Sequence, residues 1–195
     1  MEPVKIQYDR YRSQFKDGDI LLYKGRNLFS KIIQWKTQSA YSHAGVVVWW
    51  NQRLMVLEAV STGVIARPIS YNLEHYSGDI DYYRPRFEIT AAARLDMAQY
   101  AQEQLGKSYA WRRIISFFFK LLLDQPLTRK DSTEPTGSYF CSEYVADIYA
   151  KFSCDLDIVR SNRFTSPDRL AESHRLELVG TLKTLCDHTH NIQSN

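Results

Sequence analysis

The chain has 195 residues, 44% of them hydrophobic and 24% charged, which suits one ordinary globular domain with a full core and is short for two. A net charge of +3 without any dense run of Lys or Arg argues against nucleic acid as a partner. The first nineteen residues contain no apolar stretch of the kind a secretory signal needs. The longest apolar window, Ile114 to Leu123, carries Lys120 and falls short of the ~20 residues of a membrane helix. A soluble, cytoplasmic protein is the expectation, with signal-independent export left open.

Residues 1 to 16 read as a short helix or an arm. Asp17-Gly18-Asp19 is a turn signal, and Ile20 to Tyr23 after it reads as a buried strand. Asn27 to Thr37 suits a helix or an ordered loop. Three strands then follow closely, Ser42 to Trp49, Leu54 to Val60 and Val64 to Ile69, with Asn51-Gln52 as the first turn. Gly78-Asp79 opens a fourth, Ile80 to Tyr83, stopped by Pro85. Connections this short predict an antiparallel meander rather than βαβ crossovers.

The second half changes period. Thr90 to Leu105 places Ala93, Met97, Tyr100, Ala101 and Leu105 on one helical face, with Thr90 as cap and Gly106 as terminator. Trp111 to Leu123 reads as a second helix, and 124 to 137 as a polar loop. Ser138 introduces a third helix, in which Phe140, Tyr144, Ile148 and Phe152 recur at helical spacing. Ser166-Pro167-Asp168 starts a short helix, Leu176 to Leu182 reads as a strand, and the tail from Asp187 is polar. With no repeat and no break in composition, one α+β domain over 1–195 is expected, its core spanning about 17–182.

Three cysteines, Cys141, Cys154 and Cys186, show no metal-ligand spacing. Cys154 and Cys186 fit the ordinary role of small buried hydrophobes. Cys141 differs because it stands in the first turn of a helix, close behind the cap candidate Ser138. There the unpaired N–H groups and the helix dipole favour an anion, and a thiol so placed is a candidate nucleophile. His43 shares a strand face with Gly45 and Val47, which leaves room over its ring. Glu58 is the one acid in LMVLEAV and needs a partner if it is buried.

Any even-length hairpin loop puts His43 and Glu58 on one face. A Trp50-Asn51 loop sets them opposite, an Asn51-Gln52 loop sets them diagonal, and an odd loop or a bulge separates them. Cys141, His43 and Glu58 would then form a nucleophile–base–orienter set. The backbone N–H of Cys141 would meet the developing oxyanion, with Tyr23 or Tyr139 as candidate second donor. Asp17 and Asp19 read as turn residues. His188 and His190 lack a third ligand, so no metal and no cofactor is expected.

The segments DGDILLY, SHAGVVV, LEAV, GKSYAW, YFCSEYVADIY and SPDRLAES occur here in an order that resembles the permuted papain-like enzymes. These are circularly permuted relatives of the NlpC-type peptidoglycan amidases, and the resemblance is to the YiiX/YebB-like group. It spans roughly residues 17 to 175, and its most specific piece is Cys141 to Val145. It implies an α+β fold in which the Cys helix packs on an antiparallel sheet, with Cys141 as nucleophile, His43 as base and Glu58 as third polar residue. The departure is the long, apolar stretch within Lys107 to Gly137. The function implied is a cysteine amidase or peptidase acting on a peptide, a peptidoglycan fragment or an N-acyl compound. The alternatives are a lipid-directed thiol acyltransferase or phospholipase of the lecithin:retinol acyltransferase type, with the helix after Trp111 against a membrane surface, and a non-catalytic binding module. The oligomeric state is not legible in the sequence.

Overall fold

The structure, a computed structural model, describes residues 4–37, 39–109, 138–139, 141–154, 156 and 166–182. The elements in chain order are α1 (Val4–Arg12), β1 (Ile20–Gly25), α2 (Leu28–Thr37), β2 (His43–Trp50), β3 (Arg53–Val60), β4 (Gly63–Pro68), α3 (Ile69–His75), β5 (Gly78–Pro85) and α4 (Ala91–Glu103). After these come β6 (Ser108–Tyr109), β7 (Ser138–Tyr139), α5 (Cys141–Lys151), α6 (Pro167–Glu172) and β8 (Leu176–Leu182). The expected helix over Trp111 to Leu123, the loop after it and Cys186 lie outside the described residues.

Six strands form one sheet in the order β4-β3-β2-β1-β5-β8, and every neighbouring pair is antiparallel. The meander read from the short loops is present as β2-β3-β4. It starts at a two-residue turn, Asn51-Gln52, whose φ angles of 46° and 65° are those of a type I′ hairpin. Its twist matches that of the strands, and Trp50 pairs with Arg53 directly across it.

Both faces of the sheet are covered. On one, Ile20, Leu22, Ala44, Val46, Val48 and Leu57 pack with Met97 and Ala101 of α4 and with Tyr144, Val145 and Ile148 of α5. On the other, Leu21, Tyr23, Val47, Leu54 and Val56 pack with Ile69 and Leu73 of α3. The two sets alternate along each strand, as the period-2 pattern requires. Each large side chain fully buried in these layers contributes about 1.5–3 kcal/mol of transfer free energy.

α4 begins where the sequence places it. The Thr90 hydroxyl accepts a hydrogen bond from the Ala93 N–H at 3.2 Å, and Gly106 beyond the helix has a φ of +79°. Two details differ from expectation. Ser138 does not cap the Cys helix: it pairs with Ser108 in the short parallel β6–β7 ladder, and α5 begins at Cys141 itself. Residues 69–75 form a helix, α3, where the sequence suggested only the end of a strand.

Candidate active site

α5 is held rigidly. The Tyr144 hydroxyl donates to the Ala101 carbonyl at 2.7 Å, the Tyr100 hydroxyl donates to Asp147 Oδ2 at 2.9 Å, and the Tyr149 hydroxyl donates to the Gly18 carbonyl. Of its eleven residues, eight are buried, so the helix sits deep in the fold and Cys141 at its first position is fixed with it. β7 leads directly into that position.

The place that Cys141 reaches is set by a break in the sheet. Pairing of β2 with β3 stops at Val46 opposite Leu57, whereas β3 and β4 remain paired through Val60 opposite Gly63. The first residues of β2 therefore have backbone N–H groups on the β3 side that no strand takes. The Ala44 N–H bonds to the Cys141 sulfur, and so does the Ser142 N–H from the first turn of α5. Backbone donors thus converge on the sulfur from two elements, together with the positive end of the helix dipole.

His43 is the first residue of β2, opposite Tyr23 of β1. Its Nε2 lies 2.7 Å from Glu58 Oε2, which leaves Nδ1 for the hydrogen bond to the Cys141 thiol. The Asn51-Gln52 turn sets the hairpin register so that His43 and Glu58 are diagonal neighbours on one face, one of the two even-loop outcomes allowed by the sequence. Gly45 makes the pair possible. A Cβ there would stand 2.6 Å from Val56 Cγ2 and 3.3 Å from Glu58 Cβ, so any side chain would push the two strands apart.

Glu58 is 2% exposed. Besides His43 it is met by Asn72 Nδ2, which donates to Oε1 at 3.3 Å, and by Arg67 Nη1 at 3.8 Å. Asn72, buried in α3, also donates to the Tyr23 hydroxyl at 2.7 Å. Neither Asn72 nor Arg67 was singled out in the sequence. The available signal was a lone Asn between the apolar Ile69 and Leu73, in a segment too short to read as a helix.

The charges follow from these contacts. Burial works against ionisation of Cys141, but the imidazolium of His43 and the N–H groups of Ala44 and Ser142 outweigh it and hold the thiol below its ordinary value. Burial likewise works against the imidazolium. The Cys141 sulfur and the Glu58 carboxylate prevail and raise His43 to about 10. For Glu58 the desolvation is offset by His43, Asn72 and Arg67, and its carboxyl is held below the usual carboxylate value. These shifts all favour a thiolate–imidazolium pair backed by a buried carboxylate.

Tyr23 is in the site, but behind it. It is fully buried, its ring centroid lies 5.1 Å from that of His43, and its hydroxyl accepts from Asn72 on the Glu58 side of the imidazole. That is the side away from the thiol, so Tyr23 supports the imidazole instead of facing an oxyanion. Tyr139 lies two residues before Cys141 in β7, and its side chain lies outside the described residues. Cys154 is a partly buried free thiol at the edge of the core. Asp17 and Asp19 are in the turn as read, and Asp19 is also completely buried.

A cysteine at the head of a helix packed on an antiparallel sheet, with the histidine strand earlier in the chain, defines the permuted papain-like class of α+β proteins. The family model of the permuted papain-like amidase enzymes, YaeF/YiiX, C92 family, matches residues 14–125, and the chain belongs to this family. The match includes β2 and β3 and ends before Cys141. Among solved structures, the chain is similar to the crystal structure of metalloprotein yiiX from Escherichia coli O157:H7 (DUF1105). The TM-score is 0.64 at 23% identity, covering 86% of this chain and 97% of that one. No match was found among curated proteins.

Proposed function

We propose that the chain is a cysteine amidase that cleaves an amide of a peptide, a peptidoglycan fragment or an N-acyl compound through an acyl-thioester on Cys141. The observation that carries this reading is the buried relay from the Cys141 thiol through His43 to Glu58. The thiolate attacks the carbonyl carbon, and the C=O electron pair moves onto oxygen. The oxyanion is met by the Cys141 N–H, with Tyr139 as the candidate second donor. Collapse breaks the C–N bond as the imidazolium delivers its proton to the departing amine, leaving the thioester. Neutral His43 then takes a proton from water. The hydroxide attacks the thioester, and the carboxylic product leaves while the thiolate is restored. Glu58 keeps the ring oriented and its positive form stable throughout.

The yiiX structure is titled a metalloprotein. Among the described residues of this chain, no three His, Cys, Asp or Glu side chains are grouped as a metal site would need, and no step is routed through a metal. Nor is any helix of the described residues long and apolar enough to cross a membrane.

The test is to incubate the protein with labelled N-acyl peptides and, separately, with phospholipids, and to measure its intact mass. An acyl adduct from the peptides that disappears in Cys141→Ala is the expected result. An adduct formed from phospholipid alone would replace the amidase reading by the lipid-directed one. An alkylation rate at Cys141 with the pH profile of a free thiol would overturn both.

A further inference from the structure

α2 presents an apolar stripe to the outside. Two of its polar residues turn toward the fold: Ser30 is buried against Gly25, and Gln34 Nε2 donates to the carbonyls of Gly25 at 2.9 Å and Ala40 at 2.8 Å. Three of its apolar residues face outward. Leu28, Ile32 and Trp35, spaced i, i+4, i+7 on one face, are 79%, 39% and 64% exposed. A helix in a soluble fold normally buries such a stripe, and exposing it costs the transfer free energy that burial would have recovered.

The segment that carries the stripe is basic. Arg26 and Lys31 are exposed on and beside α2, and the sequence contains no Asp or Glu from Ile20 through Leu57. An apolar stripe with a tryptophan, on a segment that carries cations and no acid, complements a surface that is apolar below and anionic at its rim. A second copy of the chain would bring like charges together at this face, which disfavours self-association.

We infer that α2 docks the protein onto an anionic lipid surface, with Leu28, Ile32 and Trp35 in the interface and Arg26 and Lys31 against the headgroups. α2 joins the end of β1 to the start of β2, the strand that begins at His43. Docking therefore places the candidate active site at the membrane surface. The inference concerns binding and is independent of turnover.

The test is co-sedimentation of the full chain with vesicles of phosphatidylcholine alone and of phosphatidylcholine with roughly one third phosphatidylglycerol. Binding to the anionic vesicles is expected to exceed neutral binding by about tenfold or more and to weaken as salt is raised. Leu28→Ser with Trp35→Ser should abolish it, and Lys31→Glu should weaken it by about fivefold or more. These substitutions should leave the protein cooperatively folded and the alkylation rate of Cys141 unchanged. Three results would overturn the inference: no preference for anionic vesicles; binding that survives the double substitution, which would put the contact on another segment such as 111–123; or a dimer without vesicles that the double substitution dissolves, which would make a second copy the occupant.

Discussion

At the scale of residues, the pairing of His43 with Glu58 and Cys141 makes a definite statement about pH. The ordinary imidazole value is about 6.5, whereas in this site the sulfur and the carboxylate raise His43 to about 10. The ion pair is therefore favoured from the depressed value of the Cys141 thiol up to about 10, where His43 loses its proton and, in the proposed amide cleavage, the leaving amine loses its acid. Turnover should follow a bell with its alkaline limb near that value and its acid limb below the ordinary thiol range. Glu58→Gln removes one of the groups holding the imidazolium, so the alkaline limb should move toward neutrality and kcat should fall on the order of 10²-fold. Asn72 touches neither the sulfur nor the imidazole in the observed hydrogen bonds but donates to Glu58, which makes it a positioning residue. Asn72→Ala should move the alkaline limb in the same direction with a loss of about tenfold, whereas a purely structural effect would lower the thermal midpoint and leave the limb in place. Rate profiles in pH, recorded beside melting curves, separate the two outcomes.

At the scale of elements, the site depends on the β2–β3 hairpin, because its register makes His43 and Glu58 neighbours. The turn contains a cost that can be removed. Gln52 has a φ of 65° and Asn51 one of 46°; asparagine tolerates the left-handed region, whereas a residue with a long side chain loses about 1 kcal/mol or more there. Only the backbone carbonyl of Gln52 is engaged, accepting from Arg12 Nη2 at 2.8 Å, and glycine keeps that carbonyl. Gln52→Gly should therefore stabilise the fold by about 1 kcal/mol, a rise in Tm of about 2–4 °C, without changing Cys141 alkylation. A fall in Tm would show that the Gln52 side chain itself stabilises the turn. This hairpin was legible in the sequence because apolar β-branched runs flank a two-residue turn signal, whereas the diagonal placing of His43 and Glu58 was one of several outcomes that the loop parity left open. α4 was legible from its periodicity and its Thr90 cap. α3 was not: ISYNLEH is too short to display a helical period, and so Asn72 escaped notice. The Ala44 and Ser142 N–H groups on the sulfur were beyond sequence reading, since backbone donors carry no residue signature. α2 stayed ambiguous between helix and loop, and nothing in its spacing told that Leu28, Ile32 and Trp35 are exposed.

At the scale of the whole molecule, one buried acid ties together parts of the chain far apart in sequence. Asp19 is 0% exposed and sits at the start of β1. Its carboxylate accepts from Arg84 Nη2 at 2.8 Å and Nε at 3.2 Å, from the Tyr82 hydroxyl at 2.7 Å and from the Lys16 N–H at 2.8 Å, with Arg94 Nη1 of α4 at 3.6 Å. Around it, Arg94 Nη1 donates to the Asp17 carbonyl at 2.6 Å, the Trp49 N–H donates to Asp17 Oδ1 at 2.6 Å, and the Tyr149 hydroxyl donates to the Gly18 carbonyl. The Asp17-Gly18-Asp19 turn thus joins β2, β5, α4 and α5, and it anchors the C-terminal part of the helix whose first residue is Cys141. Asp19→Ala would leave two guanidinium groups, at 20% and 11% side-chain exposure, without their shared carboxylate. Breaking a buried charge pair from one side costs about 3–5 kcal/mol, so Tm should fall by roughly 6–20 °C. Asp19→Asn keeps the shape and two acceptor lone pairs but not the charge, and should lose less. Because this hub is anchored to α5, the cost should also reach the site: alkylation of Cys141 in Asp19→Asn, measured below its melting transition, should slow relative to wild type as the helix head loosens from the Ala44 N–H. An unchanged alkylation rate together with a lowered Tm would confine the hub to stability and leave the positioning of the thiol to β7 and the first turn of α5.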